Sequence, residues 1–258
     1  MTLHYRALPD LTGVDLGPLP ATGTFPLWTA SRHVPRLRGT ALTPHVGVPM
    51  ALPLLNGVYA RIAKRVLDVV LASIALILVA PLLVLMLLAL WIESGNPFYT
   101  QERLGMNGRR FRMYKLRSMV LGAEGQLEHY LDSNPALRAE WDETQKLKSD
   151  PRITPLGALL RKTSMDELLQ IFNVLKGEMS LVGPRPMLPE QVSLYRHPQA
   201  YLGVRPGITG LWQVTARNEE SFDIRAILDM RYAQRISFKT DFKIIAATFG
   251  VVLRATGY

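Results

Sequence analysis

The run VVLASIALILVAPLLVLMLLALWI, from Val69 to Ile92, carries no charged side chain over 24 positions. A helix of that length rises about 36 Å, enough to cross a hydrocarbon core of about 30 Å. A soluble core helix is seldom apolar on every face, so this segment obliges the rest of the chain to fold beside a membrane. Two details constrain how. Pro81 stands in the middle of the run, where it removes a helical hydrogen bond and bends the axis, freeing a carbonyl that protein groups must meet. Both flanks are basic: Arg61, Lys64 and Arg65 precede the run, and Arg103, Arg109, Arg110, Arg112, Lys115 and Arg117 follow it with no acid between 103 and 117. Cations hold a membrane flank on the cytoplasmic side, so cations at both ends point to a broken helix that enters and leaves by one face. An ordinary kinked span is the alternative, and the run alone does not choose.

The charge balance asks for an anionic partner. With 30 Lys and Arg against 21 Asp and Glu the net charge is +9, which suits nucleic acid, an acidic membrane surface or phosphate-bearing substrates. No recognisable module organises the cations for nucleic acid, so no nucleic-acid partner is expected. The absence of Cys excludes disulfides, thiolate zinc sites and cysteine nucleophiles, and the His residues at 4, 33, 45, 129 and 197 have no helical ligand spacing. Residues 1–60, rich in Pro and Gly and without period, read as a mobile extension with no secretory apolar core. Residues 61–95 are then the membrane helix and 96–258 a cytoplasmic region.

Within that region, the basic segment 98–119 predicts a turn at Gly105 and Gly108, with an extended stretch followed by a helix; most of its cations suit a lipid-facing flank. Residues 122–148 predict polar helices broken at Asn134-Pro135, a peripheral insertion. The stretch Ser164-Met-Asp-Glu-Leu-Leu-Gln170 sets two carboxylates side by side in a basic neighbourhood. Ser164 and Glu167 have capping-box spacing, so the pair could simply start a helix whose buried face is Met165, Leu168, Leu169, Phe172 and Leu175. Alternatively, an ionised Asp166 ringed by cations is a nucleophile or metal ligand beside bound phosphate. Arg185, held between Pro184 and Pro186, is stiffened for a phosphate fork, with a surface turn as the bland reading. The segment 204–214 predicts a Pro-Gly turn and a short strand bearing Gln213, and 244–253 a core or membrane-surface helix.

These motifs together resemble the bacterial sugar transferase family, the monotopic polyprenyl-phosphate phosphoglycosyl transferases. The resemblance runs from about residue 61 to 258 and rests on Lys115-Leu-Arg-Ser-Met, Asp150-Pro-Arg-Ile-Thr, Leu160-Arg-Lys-Thr-Ser-Met-Asp-Glu, the segment Asn173 to Pro186, and Arg205-Pro-Gly-Ile-Thr-Gly-Leu-Trp-Gln-Val. It implies transfer of a sugar 1-phosphate from a UDP-sugar to undecaprenyl phosphate with release of UMP. It further implies Asp166 as nucleophile, Glu167 as the catalytic partner associated with Mg²⁺, and Lys115, Arg161, Arg185 and Gln213 as substrate-binding residues. The family's membrane helix is re-entrant and bent at a Pro, here Pro81; Ala80 replaces the Ser that some members carry before it. The implied setting is the cytoplasmic face of a bacterial plasma membrane, with membrane lipid as a further partner and a homodimer as a family-level expectation. The long 122–148 insertion resembles members that transfer glucose or galactose 1-phosphate in polysaccharide assembly.

The fold class expected is thus mixed α/β and mainly helical: a membrane-embedded, bent re-entrant helix, a compact cytoplasmic catalytic region, and surface amphipathic helices. The rival functions are a non-catalytic, membrane-anchored binder of anionic lipid or polymer, and a lipid diphosphate hydrolase that activates water instead of forming an enzyme-bound sugar phosphate.

Overall fold

The computed structural model describes residues 58–144, 147, 149–195, 198–215 and 222–253. The extension expected over 1–60 lies almost wholly outside the described residues. Among those described, the chain is mostly helical, with two sheets of two strands each.

Helix α1, Lys64–Ser94, follows a π-helical turn at Tyr59–Ala63 and runs on through Pro81. It stops at Gly95, whose left-handed φ of 78° lets its N–H return to the Trp91 carbonyl at 2.8 Å. Only one stripe of this apolar helix is covered: Ala72, Leu83, Met86 and Leu90 are buried, and Leu76 and Val79 pack on the same clusters at steps of three and four. Ile77, Leu78, Leu85, Trp91 and Ile92 remain exposed, an apolar face suited to lipid.

Both ends of α1 are tied to the same layer of protein. At the start, Asp241 accepts hydrogen bonds from Tyr59 Oη and Lys64 Nζ, each at 2.7 Å, and from Tyr232 Oη at 2.9 Å. One turn on, Asp68 accepts from Ser180 Oγ at 2.7 Å and from the Leu181 N–H at 3.1 Å, while Arg65 donates to the Val174 and Leu175 carbonyls at 2.6 and 3.0 Å. At the far end, Thr154 Oγ1 donates to Glu93 at 2.9 Å.

The layer begins with an antiparallel hairpin, β1 (Phe98–Leu104) and β2 (Arg110–Leu116), registered Tyr99 to Lys115 and Arg103 to Phe111. The turn expected at Gly105 and Gly108 and the extended stretch through Phe111 and Met113 are found here as the hairpin's turn and β2, whereas the helix expected to follow that stretch does not form before residue 119. Buried Phe111, Met113 and Leu116 alternate only in part with outward cations, and pairing to β1 outweighs any helical preference. Helices α2 (Ala123–Ser133) and α3 (Pro135–Thr144) form the expected polar insertion, broken at Asn134, whose Oδ1 caps α3 by accepting from the Ala136 N–H at 3.0 Å. The Asp150-Pro-Arg152 motif is structural: Arg152 grips Asp150 through Nε at 2.8 Å and Nη2 at 2.6 Å, and reaches back to the Ala123 carbonyl at 3.2 Å.

Helix α4 (Pro155–Lys162) starts at a Thr154 cap, Thr154 Oγ1 accepting from the Gly157 N–H at 2.9 Å. A Cβ on Gly157 would lie 2.0 Å from the Ser118 carbonyl oxygen, so only glycine lets α4 close against the end of β2. Next come α5 (Gln170–Lys176), β3 (Ser180–Val182), α6 (Pro198–Leu202), β4 (Gly207–Thr209), α7 (Leu211–Thr215), α8 (Phe222–Gln234) and α9 (Phe238–Leu253). β3 and β4 pair in parallel, and around them Val182, Leu211, Trp212, Leu228, Tyr232 and Ile244 form a core.

Candidate active site

Asp166 and Glu167 do not open a helix. Ser164 takes a left-handed φ of 57° and makes no side-chain cap, and the two acids occupy a tight 3₁₀ turn, Met165–Glu167, before α5 begins at Gln170. The capping-box expectation is therefore corrected. The expected apolar face holds in part: Leu169 is buried and Met165, Leu168 and Leu175 pack on the core clusters, whereas Phe172 is exposed and α5 also buries Gln170, Ile171, Asn173 and Val174. Asp166, expected on an exposed first turn, is buried.

Lys115 is delivered to this turn by the hairpin. Its Nζ lies 2.8 Å from Glu167 Oε1 and 3.7 Å from Asp166 Oδ2. Arg185 approaches Glu167 Oε1 from the other side at 3.4 Å. Its loop is clamped at both ends: the Gly183 N–H donates to the Thr209 carbonyl at 2.9 Å, and the Gly207 N–H to the Pro184 carbonyl at 2.8 Å. A Cβ on Gly207 would come within 2.1 Å of the Gly183 nitrogen, so the two backbones touch and fix the direction of Arg185. Arg161 comes from the last turn of α4, held by Nε donating to Ser118 Oγ at 2.8 Å.

The electrostatics separate the two acids. Glu167 is ion-paired twice, while the one ion-pair partner of Asp166 among the described residues is the more distant Lys115. Burial pushes the Asp166 carboxyl above its ordinary value; Lys115 pulls it down, Glu167 adds to the rise, and Arg161 and Arg185 oppose it. A cleft of about 10 Å³, room for roughly one water, opens beside the pair and is lined by Arg103, Met113, Glu167, Gln170, Arg185 and Pro186.

Arg103 belongs to this site and was not singled out from the sequence. Its Nη1 donates to the Pro186 carbonyl at 3.2 Å, and burial, with Arg185 nearby, lowers its guanidinium to about 10. The signal that could have found it is strand alternation, since Tyr99, Gln101 and Arg103 share the face of Lys115 once β1 pairs with β2. Gln213 stands apart: it lies on α7 instead of the expected strand, does not line the cleft, and has both amide atoms buried with no hydrogen-bond partner among the described residues. The structure thus unites Lys115, Arg161, Asp166, Glu167 and Arg185 and adds Arg103.

The sequence model of one family, described as bacterial sugar transferase, matches residues 59–255, which takes in α1 and every residue of this site. The chain belongs to the bacterial sugar transferase family. Among its relatives, a UDP-galactose-lipid carrier transferase of Erwinia amylovora is 44% identical over 199 residues, 77% of this chain and 42% of that protein. An undecaprenyl-phosphate galactose phosphotransferase of Salmonella typhimurium is 42% identical over 199 residues, with the same shares of 77% and 42%. The exopolysaccharide production protein ExoY of Rhizobium meliloti is 43% identical over 197 residues, 76% of this chain and 87% of that protein. This sugar transferase therefore spans about two fifths of the length of the first two relatives, at 42% of each, and most of the third.

Proposed function

We propose that this chain transfers a sugar 1-phosphate from a UDP-sugar to undecaprenyl phosphate, through a covalent phosphosugar intermediate on Asp166, at the cytoplasmic face of a bacterial plasma membrane. The observation that carries the reading is the inequality of the two carboxylates: Glu167 is held by Lys115 at 2.8 Å and Arg185 at 3.4 Å, while buried Asp166 has, among the described residues, only a 3.7 Å ion pair with Lys115. The relatives named for UDP-galactose and for undecaprenyl phosphate supply the substrate classes.

In the first step an Asp166 carboxylate oxygen attacks the sugar-bearing phosphorus of the donor. The phosphoanhydride bond breaks, and its electron pair leaves on UMP. In the second, a phosphate oxygen of the acceptor attacks the same phosphorus, and Asp166 departs as a carboxylate. Such transfer depends on positioning and on cancelling charge more than on proton movement. Lys115, Arg161, Arg185 and Arg103 supply that charge around a diphosphate lying across the mouth of the cleft, where Arg185 is 37% exposed. Gln213 serves as a more remote substrate contact.

Among the described residues no group of three or more acids or His forms a cage for a metal ion. Glu167 alone still fits Mg²⁺, which commonly takes one or two carboxylates and completes its shell with substrate phosphates and water. Glu167 would hold the ion, which when bound would neutralise charge on the diphosphate.

A membrane helix with both ends on one side is supported by the packing of α1. Its buried stripe follows the catalytic layer from Ala72 to Leu90, and hydrogen bonds fix both ends to that layer. A perpendicular crossing would carry the hairpin's charged side chains into hydrocarbon.

The test is UMP release from a panel of UDP-sugars by the purified protein in lipid, with Mg²⁺ and undecaprenyl phosphate. One donor should release UMP with the wild type and none with Asp166→Asn. Release at the wild-type rate by the variant would remove Asp166 from the mechanism, and silence from every donor would favour a non-catalytic binder of anionic lipid.

A further inference from the structure

A second recess lies on the opposite face of the same hairpin. It is about 350 Å³ and is lined by Phe98, Thr100, Tyr114, Leu169, Phe172 and Lys176. The register explains the separation: Thr100 pairs with Tyr114 and Tyr99 with Lys115, so alternate side chains point to opposite faces. One face carries Arg103 and Met113 to the carboxylate cleft and Lys115 to Glu167 in its wall, and the other carries Phe98, Thr100 and Tyr114 to the recess. The turn and helix that follow Asp166 divide likewise, with Gln170 lining the cleft and Leu169, Phe172 and Lys176 lining the recess. A polar site and an apolar groove thus share a wall one hairpin and one helix thick.

Two observations say what occupies the groove. Tyr114 and Leu169 pack in the same cluster as Leu83, Met86 and Leu90 of α1, so the groove continues the surface on which the membrane helix lies. Its rim leaves large apolar rings open, Phe98 at 51% and Phe172 at 38% exposure. The one cation, Lys176, sits 4.5 Å from the Tyr114 ring centroid. An occupant with an apolar chain and an anionic head would place the chain here and the head around the edge of the hairpin, toward Lys115 and Asp166.

We propose that this groove binds the isoprenoid units nearest the phosphate of a polyprenyl phosphate, with Phe98, Tyr114 and Phe172 as the recognising surface. The inference rests on the acceptor class proposed above. It assigns the hairpin a second role: the wall that places the lipid's phosphate beside the nucleophile while keeping its chain out of the polar cleft.

The test is equilibrium binding of fluorescent undecaprenyl phosphate to the full chain in nanodiscs of phosphatidylethanolamine and phosphatidylglycerol, with UMP release measured in parallel. Replacing two large apolar contacts by Phe98→Gln/Phe172→Gln should weaken binding about tenfold, while the KM for the UDP-sugar and association with the bilayer stay within about twofold of wild type. Both rings are exposed, so the substitution leaves the core intact. Unchanged affinity for the prenyl phosphate would overturn the assignment. So would a parallel loss of bilayer association, which would make the groove a contact for bulk lipid. Because binding is read without turnover, wild-type protein that binds the lipid through these rings but releases no UMP would overturn the transferase reading and leave the groove standing.

Discussion

Two buried carboxylates near lysines, Asp241 and Asp166, have opposite surroundings. Asp241 accepts from Tyr59, Lys64 and Tyr232 at 2.7, 2.7 and 2.9 Å, so most of its acceptor capacity is filled. Asp166 has only the Lys115 ammonium at 3.7 Å among the described residues and is pushed toward protonation by its burial. The first is an anchor that fastens the start of α1 to α8 and α9. The second is a carboxylate without a full set of partners among the described residues, adjacent in sequence to Glu167, which lines the cleft. A filled carboxylate holds structure in place, whereas an unfilled one retains lone pairs for chemistry.

The sharpest way to break this contrast is to remove each charge in turn. Asp166→Asn should lower turnover by about 10³-fold or more, as loss of a covalent nucleophile does. It should also raise the thermal midpoint. Because the folded state raises this carboxyl, protonation stabilises the fold as pH falls, and at neutral pH the ionised form costs stability that Asn does not. A calorimetric scan beside a UMP assay checks both signs. Asp241→Ala should behave in the reverse way. Leaving Lys64 and two tyrosines without their acceptor should cost about 3 kcal/mol of stability, while activity per folded molecule changes less than tenfold.

Lys115→Met sharpens the comparison, since it takes from Asp166 its nearest cation. Turnover should fall about 10²-fold. The acidic limb of the pH–rate profile should move to higher pH, because Lys115 is the charge that most opposes the rise that burial gives the Asp166 carboxyl. A profile whose acidic limb stays in place would mean that another group titrates there. The smallest effect belongs to Arg103→Lys, which keeps the charge and loses the fork: a rise of about three- to tenfold in the KM for the UDP-sugar with little change in kcat, measured by initial rates.

The long apolar helix was legible because 24 uncharged positions leave few alternatives, but which of its faces packs was not. Where every residue from Val69 to Ile92 is uncharged and nearly all are apolar, the stripe through Ala72, Leu83, Met86 and Leu90 has no polar residues opposite to mark it. The polar insertion was legible too, since Asn134-Pro135 interrupts its helices at the predicted place. The turn and the extended stretch after it were legible, but the pairing of two strands across the five residues 105–109 was not, and only that pairing turns Tyr99, Gln101 and Arg103 toward the face of Lys115. The acids at 166 and 167 were found by their basic company. Their inequality was not legible, because it depends on Lys115, some fifty residues earlier, reaching Glu167 more closely than Asp166.

The most direct measurement of the central claim is the mass of the wild-type protein after exposure to its UDP-sugar and Mg²⁺ with no lipid acceptor, followed by peptide mapping. The account predicts a gain of one sugar phosphate on the peptide containing Asp166, lost when undecaprenyl phosphate is added. Full turnover with no adduct at any time, or an adduct on a different residue, would contradict it.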